Sequence, residues 1–143
     1  MIELDAEQVF AQLGAMLARA ANPAPFLTWV GETETEKARQ RIDDTKTSPQ
    51  GVPWEPWEPS TEKQRVRKGN AQLGLLYDEG DLFDSIHFVV DGGTVAIGSD
   101  LDYALYLQDG TEKMDARPFL GWSDDAMPFY EGAFIDYLGS NFL

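Results

Sequence analysis

The chain has 143 residues, of which 43% are apolar and 12% aromatic, and this composition predicts one domain with a packed core. It contains no cysteine, which excludes disulfide and thiolate chemistry. The formal net charge of -14 is concentrated in residues 71–143, which hold 14 acidic and 2 basic side chains. So acidic a half argues against direct binding of nucleic-acid phosphates and leaves two explanations, solubility or repulsion of a polyanion.

The N-terminal residues, MIELDAEQVF, carry acids where a secretory signal needs lysine or arginine. No apolar run approaches the roughly 18 residues of a transmembrane helix. We therefore expect a soluble protein that is made in the cytosol and has no membrane partner.

A first helix is predicted from Asp5, which can cap it, to Ala20. Apolar side chains recur along this segment at helical spacing: Val9, Phe10, Leu13, Met16 and Leu17. Pro23 and Pro25 end the pattern. A second helix is predicted from about Pro25 to Ile42.

A loop is predicted over residues 43–60, and a third helix over residues 61–77. The first half of this helix is basic and its second half is apolar. Gly69 and Gly74 are the points at which it could divide.

The apolar period changes from 3.6 to 2 after Asp84, where Ile86, Phe88 and Val90 alternate with other side chains and predict a half-buried strand. The turn sequence Asp91-Gly92-Gly93 follows, and residues 94–99 return as a second strand. These segments predict a β-hairpin.

The last third of the chain predicts a short helix, an edge strand and a final helix. Asp100 is expected to cap the short helix, and residues 108–115 form a polar loop. Residues 116–120 are predicted as a third strand at a sheet edge, because Pro118 cannot donate to a ladder. The final helix is predicted to begin at Ser123 or Asp124, with its proline in or near the first turn.

The predicted order of elements is typical of an α+β domain with a small antiparallel sheet and several helices. We expect a single domain over residues 1–143. It divides into N-terminal helices at 1–45, a Trp/Pro loop at 46–60, and a region of helix, sheet and C-terminal helix at 61–143.

No pattern in the sequence indicates catalysis. The single histidine, His87, lies in a predicted strand, and phosphate-loop, nucleophile-elbow and HExxH motifs are absent. An acidic cluster at residues 78–84 lacks the spacing of a calcium loop, and its Asp81 is expected to cap the turn that carries Leu82. We expect a protein that is not an enzyme and binds neither a cofactor nor a metal.

The Trp/Pro loop contains the repeated sequence PWEPWEP at residues 53–59. Its P-x-x-P spacing would suit a polyproline II ligand for a partner protein. Alternatively, Trp54 and Trp57 fix the loop to their own domain or to a neighbouring subunit, which would remove two large apolar side chains from water. We favour the second hypothesis.

Five segments occur in an order that resembles the phage virion morphogenesis family, the tail-completion proteins of Mu-like phages. They are PQGVPW (49–54), LGLLYDEGDLFDSI (73–86), VAIGSD (95–100), YALYLQDG (103–110) and ARPFLGWSDD (116–125). The RPFLG sequence is the most specific of these pieces. The chain departs from the family pattern at Gln50, at Leu107 and in a short loop over residues 109–115.

The resemblance implies a structural protein of the virion that acts in tail completion and head-tail joining. It implies a ring, for which a hexamer is favoured, with other neck and tail-tube proteins as partners and DNA only as passing cargo. The implied location is the virion, with the host cytoplasm during assembly. The alternative is an acidic phage-encoded binding module or inhibitor that occupies a nucleic-acid-binding surface of a partner.

Two groups of candidate functional residues follow from the expectation of a ring. Arg117 is expected to form a bidentate pair with a carboxylate, within or between subunits. It belongs to the interface or loop-anchor group, which is Trp54, Trp57, Tyr103, Arg117 and Phe119. The candidate carboxylates of a DNA channel, which would repel phosphates rather than hold them, are Asp100, Asp102, Asp109, Glu112 and Asp115.

Overall fold

The structure is a computed structural model that describes residues 6–139, so the predicted cap at Asp5 lies outside the described residues. Its helices are α1 (Ala6–Ala21), α2 (Ala24–Gln40), α3 (Pro59–Lys68), α4 (Asp81–Ser85), α5 (Ala104–Asp109) and α6 (Ala126–Leu138). Its strands are β1 (Ile86–Asp91) and β2 (Thr94–Ser99). A π-helical turn, Arg41–Thr45, extends α2, and a 3-10 turn, Ala71–Leu73, follows α3. This arrangement confirms the α+β class.

The two strands form an antiparallel hairpin in which Ile86 pairs with Ser99 and Asp91 pairs with Thr94. Side chains of β1 alternate between the covered and the exposed face, as the period of two predicts. The predicted turn and the bounds of β2 are confirmed. The first strand begins two residues later than Asp84, because residues 81–85 form α4 instead.

Helix α2 packs across the hairpin. Gly31 faces the ring of Phe88 there, and a Cβ atom at this glycine would lie 2.3 Å from the Phe88 Cδ2 atom. Only a residue without a side chain permits this close approach. The position explains why a glycine interrupts an otherwise regular helix.

The first of two apolar clusters surrounds the C-terminal end of α2. Its buried members come from six parts of the chain: Ala38, Ile42, Trp54, Leu82, Ile86, Ala104 and Phe119. All five segments that carry the family resemblance contribute to it, since Leu75, Ile97 and Leu107 pack against the same buried residues. These segments therefore build one core.

The second apolar cluster lies between the N-terminal half of α2 and α6. Its buried members are Phe26, Val30, Ala126, Tyr130 and Tyr137. The Tyr137 hydroxyl donates a hydrogen bond of 2.7 Å to the Asn22 carbonyl and ties α6 to the connection between α1 and α2. The predicted position of Pro128 in the first turn of the last helix is confirmed, since α6 begins at Ala126.

Helix α1 forms as predicted but buries none of its described side chains. Its apolar residues stay in contact with water; Phe10 is 70% exposed and Leu17 is 71% exposed. The helix contacts α6, where Arg19 donates a hydrogen bond to the Leu138 carbonyl. The apolar periodicity thus gave the helix correctly, while its apolar face covers no core in this chain.

The predicted third helix is wrong beyond Lys68. Gly69 ends α3 in the left-handed conformation, with φ of 77°, which glycine adopts without strain. Lys46 then donates hydrogen bonds of 3.0 and 3.1 Å to the carbonyls of Leu73 and Leu75. A distant ammonium group therefore satisfies these carbonyls, and the α-helix does not continue past Gly69, where a single 3-10 turn follows.

Two predicted caps are also wrong. Helix α4 is preceded by Gly80 at the cap position, and Asp81 is its first residue. Helix α5 has Tyr103 at its cap position, three residues after Asp100.

Residues 116–120 do not form the predicted third strand. Within residues 6–139 the sheet has two strands. The Arg117 amide donates to the Leu107 carbonyl at 2.7 Å, and side chains from elsewhere satisfy the next backbone groups. Proline at position 118 is compatible with this arrangement because no ladder hydrogen bond is required of it.

Candidate functional site: the Trp/Pro loop and the cleft beside it

The Trp/Pro loop is fixed to the segment 116–121, the RPF segment. Trp54 is 6% exposed, and its indole Nε1 donates a hydrogen bond of 2.9 Å to the Pro118 carbonyl. In the opposite direction, the Arg117 guanidinium donates to the carbonyls of Glu55 and Pro56 at 2.9 and 2.8 Å. Each segment thus satisfies backbone groups of the other.

Within the described chain Arg117 contacts carbonyls rather than a carboxylate, and its pairing with a carboxylate of a neighbouring subunit stays a prediction. Its Nε and Nη2 atoms both serve backbone carbonyls of the Trp/Pro loop. The prolines keep residues 54–58 out of helix and strand, so these carbonyls have no regular backbone donor. A planar guanidinium can reach two of them at once.

Two polar side chains form hydrogen bonds with the backbone of the rest of the RPF segment. Gln108 on α5 accepts hydrogen bonds from the amides of Phe119 and Leu120 at 3.1 and 3.0 Å, and donates one of 2.8 Å to the Leu120 carbonyl. Arg41 donates a hydrogen bond of 2.9 Å to the Phe119 carbonyl. The Phe119 side chain is fully buried in the first apolar cluster.

Sequence reasoning did not single out Gln108 or Arg41 as parts of this joint. Gln108 could have been found, because it occupies the glutamine of the YALYLQDG segment. Arg41 gives no such signal, since it follows a polar stretch of α2. Burial lowers the pKa of the Arg41 guanidinium, and the Glu34 carboxylate partly opposes this shift.

Most basic side chains of this acidic chain are directed at backbone carbonyls. Six of them donate to carbonyl oxygens: Arg19, Arg39, Arg41, Lys46, Arg65 and Arg117. Among the described residues, Lys and Arg form ion pairs only with Glu34 and Asp78. Most carboxylates are consequently left without a cation, which makes the surface strongly negative.

A cleft of about 680 Å³ lies beside the joint. Helix α3 and Trp57 form one wall, and Tyr77, Leu82, Tyr103 and Leu107 belong to the other parts of its lining. Trp57 is half-buried, and the Arg65 guanidinium lies 4.8 Å from the centre of its ring. This cation–π contact attaches the second PWE unit to α3.

Tyr103 lies at the edge of the cleft and is 43% exposed. Partial burial raises the pKa of its hydroxyl, and the carboxylates of Asp81 and Asp78 add to this shift. The hydroxyl therefore stays protonated and can donate a hydrogen bond to an acceptor that enters the cleft.

The five candidate channel carboxylates are all exposed but occupy different places. The Asp100 carboxylate lies 3.6 Å from the ring of His87, and Asp115 lines the cleft. Asp102 precedes α5 and Asp109 ends it, whereas Glu112 lies in the tight turn that the bridge between Thr111 and Met114 closes.

Across residues 6–139, no group of three or more histidine, aspartate or glutamate side chains is placed to hold a metal ion. No helix in the described chain has the length and apolar character needed to cross a membrane.

A comparison with protein families matches residues 4–139 to the model of the phage virion morphogenesis family. Comparisons with curated proteins and with solved structures found no match. The family match spans nearly the whole chain, including the N-terminal helices and every segment of the joint described above. The chain therefore belongs to the phage virion morphogenesis family, and this membership implies a virion-associated protein with a structural or assembly role in a phage.

Proposed function

We propose that the protein completes the phage tail and joins it to the filled head, acting as a ring at the head-tail junction. The family match over residues 4–139 carries this proposal. The geometry is in keeping with a structural role, because the buried residues of the motif segments contact one another. Four side chains hold loops against the core: Trp54, Gln108, Arg117 and Phe119.

We propose a hexamer as the form of the ring, since a sixfold tail would be joined by six copies. A closed ring needs the same contact repeated between successive copies. The exposed apolar side chains of α1 and α6 and the surfaces beside the cleft leave ample surface for contacts with neck and tail-tube proteins. Native mass spectrometry of the purified protein measures the number of copies directly.

We further propose that DNA passes through this ring without being bound. A basic channel would hold phosphates and release counterions, whereas an acidic wall lets them slide. The use of arginines as partners of backbone carbonyls supports this idea, because it leaves the carboxylates unneutralised. The candidates for the channel wall are the five exposed carboxylates of Asp100, Asp102, Asp109, Glu112 and Asp115.

The decisive experiment removes the gene from the phage and examines the particles by electron microscopy. Filled heads and separate, complete-length tails are expected, and wild-type protein supplied from a plasmid should restore joined particles. Joined, infectious particles without the gene would contradict the proposed function. Particles that lack filled heads would place the protein at an earlier step of assembly.

A further inference from the structure

Helix α3 presents an exposed basic surface on the side that faces away from the cleft. Its residues Thr61, Gln64, Arg65 and Lys68 line the cleft. Lys63, Val66 and Arg67 lie on the opposite face of the helix, because residues spaced by three and four share one face. We call these three residues the α3 outer surface.

The α3 outer surface combines one exposed apolar side chain with two cations that are neighbours at positions i and i+4. Val66 is 63% exposed, and Lys63 and Arg67 are exposed as well. In the described part of the chain, neither cation takes part in an ion pair or a side-chain hydrogen bond. This contrasts with the six basic side chains that are directed at backbone carbonyls.

Helix α5 presents a surface of the opposite charge. Tyr103 and Leu107 turn toward the cleft. The other side carries Leu105, which is 63% exposed, and Tyr106, which is 56% exposed. The exposed Asp109 ends the helix, and the exposed Asp102 precedes it. We call these four residues, 102, 105, 106 and 109, the α5 outer surface; neither of its carboxylates has an ion-pair partner among residues 6–139.

The two outer surfaces are separate parts of the subunit surface, since α3 and α5 each turn another face toward the same cleft. A head-to-tail contact requires two different surfaces on one subunit. Such a contact closes into a ring when the rotation between copies permits.

We propose that the α3 outer surface of one copy binds the α5 outer surface of the next copy, an inference that rests on the proposed ring. Lys63 and Arg67 would face Asp109 and Asp102, and Val66 would pack between Leu105 and Tyr106. Apolar centres inside a polar rim of complementary charge are typical of specific interfaces, and tyrosine is enriched there.

The charge of the whole chain favours this choice of occupant. A second copy carries the same net charge of -14, so copies repel one another unless a basic surface meets an acidic one. The α3 outer surface offers exposed and unpaired cations for that purpose. The assignment places Asp102 and Asp109 between subunits rather than on the channel wall.

Charge reversal tests the pairing directly. The double variant Lys63→Glu/Arg67→Glu and the double variant Asp102→Lys/Asp109→Lys should each lose the ring in analytical ultracentrifugation, with association weakened by at least about tenfold because like charges then oppose each other. A chain that carries all four changes should assemble again. An equimolar mixture of the two double variants should also assemble, because every contact then joins opposite charges.

Matched controls separate assembly from folding. All variants change exposed residues and should melt at the wild-type temperature. The variant Glu131→Lys/Asp136→Lys, on exposed positions of α6, has the same change of net charge as the α5 variant and should form rings. If the four-fold reversal and the mixture both fail to assemble, or if each double variant assembles like wild type, the inference is overturned.

The same variants supplied to the phage that lacks the gene distinguish this inference from the proposed function. Each double variant alone should leave heads and tails apart, and the two together should restore joined particles. Separate heads and tails that the pair does not restore would overturn the interface but keep the proposed function. Loss of DNA binding in a gel-shift assay by the α3 variant, with assembly intact, would instead assign Lys63 and Arg67 to phosphate contacts.

Discussion

Trp54 and Arg117 fix two loops that have no regular secondary structure. The indole and the guanidinium each donate to carbonyls of the other loop, at distances of 2.8 to 2.9 Å. A buried carbonyl that loses its donor costs about 1–3 kcal/mol. The joint should therefore be sensitive to substitutions that keep the size of the side chain but remove a donor.

Trp54→Phe should lower the free energy of unfolding by about 1–3 kcal/mol, because phenylalanine fills most of the space but leaves the Pro118 carbonyl without a donor. Trp57→Phe is the matched control, since Trp57 is half-buried and contributes mainly a cation–π contact with Arg65. Chemical denaturation followed by circular dichroism measures both. Equal losses from the two variants would contradict the assigned role of the Trp54 indole.

Arg117→Lys should cost about 1–2 kcal/mol, because one ammonium group cannot take the place of the two guanidinium nitrogens that serve Glu55 and Pro56. The exposed substitution Arg67→Lys should change the stability of the subunit by less than about 0.5 kcal/mol. Urea unfolding at neutral pH compares the two. An Arg117→Lys protein as stable as wild type would show that the guanidinium geometry is unimportant.

Tyr130 makes stability depend on pH in the alkaline range. Burial raises the pKa of its hydroxyl well above the ordinary value of 10.0, and the hydrogen bond that it donates to Glu34 adds to the shift. The unfolded chain therefore loses this proton first as the pH rises. Stability from this group is fully present below about pH 10 and is lost as the pH rises above that value.

Tyr130→Phe should therefore be less stable than wild type at neutral pH, and its stability should decline less steeply above about pH 10. Tyr106→Phe, on the exposed face of α5, should keep the wild-type slope. Unfolding by urea at a series of pH values gives both slopes. Parallel curves for wild type and Tyr130→Phe would remove the buried hydroxyl as the cause.

At the scale of elements, the hairpin contributes buried apolar area to the core, whereas helix α1 contributes little. The hairpin places Ile86, which is fully buried, in the first apolar cluster, whereas α1 leaves its apolar side chains in water. Replacing a large apolar side chain by alanine should therefore lower the free energy of unfolding much more in the hairpin than in α1.

Ile86→Ala should cost about 2–5 kcal/mol, because it opens a cavity in a packed cluster. Leu17→Ala should stay within about 0.5 kcal/mol of wild type, since Leu17 is 71% exposed. Thermal and chemical unfolding of the isolated protein give both values. A large loss in Leu17→Ala would mean that the Leu17 side chain is buried by other parts of the folded protein.

At the scale of the whole molecule, the basic and the acidic side chains have different places and different roles in the fold. Five of the six arginines donate to backbone carbonyls, whereas most carboxylates are exposed at the surface. The negative charge that gives the chain its net charge of -14 therefore lies mainly on surface carboxylates. In the proposed ring, the negative surface charge would have its largest effect along the channel through which DNA passes.

Glu112→Lys/Asp115→Lys should leave the ring intact and slow the ejection of DNA, with a larger effect at low salt because screening shortens the reach of the attraction. Glu112→Gln/Asp115→Asn, which removes charge without reversing it, should have an intermediate effect. Ejection rates from purified particles are measured at two ionic strengths. Wild-type rates for both variants would assign these carboxylates to solubility alone.

The sequence by itself determined the elements that depend on neighbouring residues. Apolar periodicity and prolines gave α1 and α2, and alternation with a glycine turn gave the hairpin, because these signals act over a few residues. The order of five motif segments gave the family, which the match over residues 4–139 shows. Local pattern also indicated that the two tryptophans of PWEPWEP were unusual in a loop.

Only the tertiary structure decided how distant polar groups are paired and which apolar faces are covered. Lys46 stabilises the chain after α3 and Gln108 replaces the ladder of a predicted strand, although both lie far along the chain from the carbonyls they serve. The apolar face of α1 is left exposed, because α2 and α6 already fill the second cluster. Hydrogen bonds between distant residues and competition for one core leave no local pattern, so they become visible only when the chain is folded.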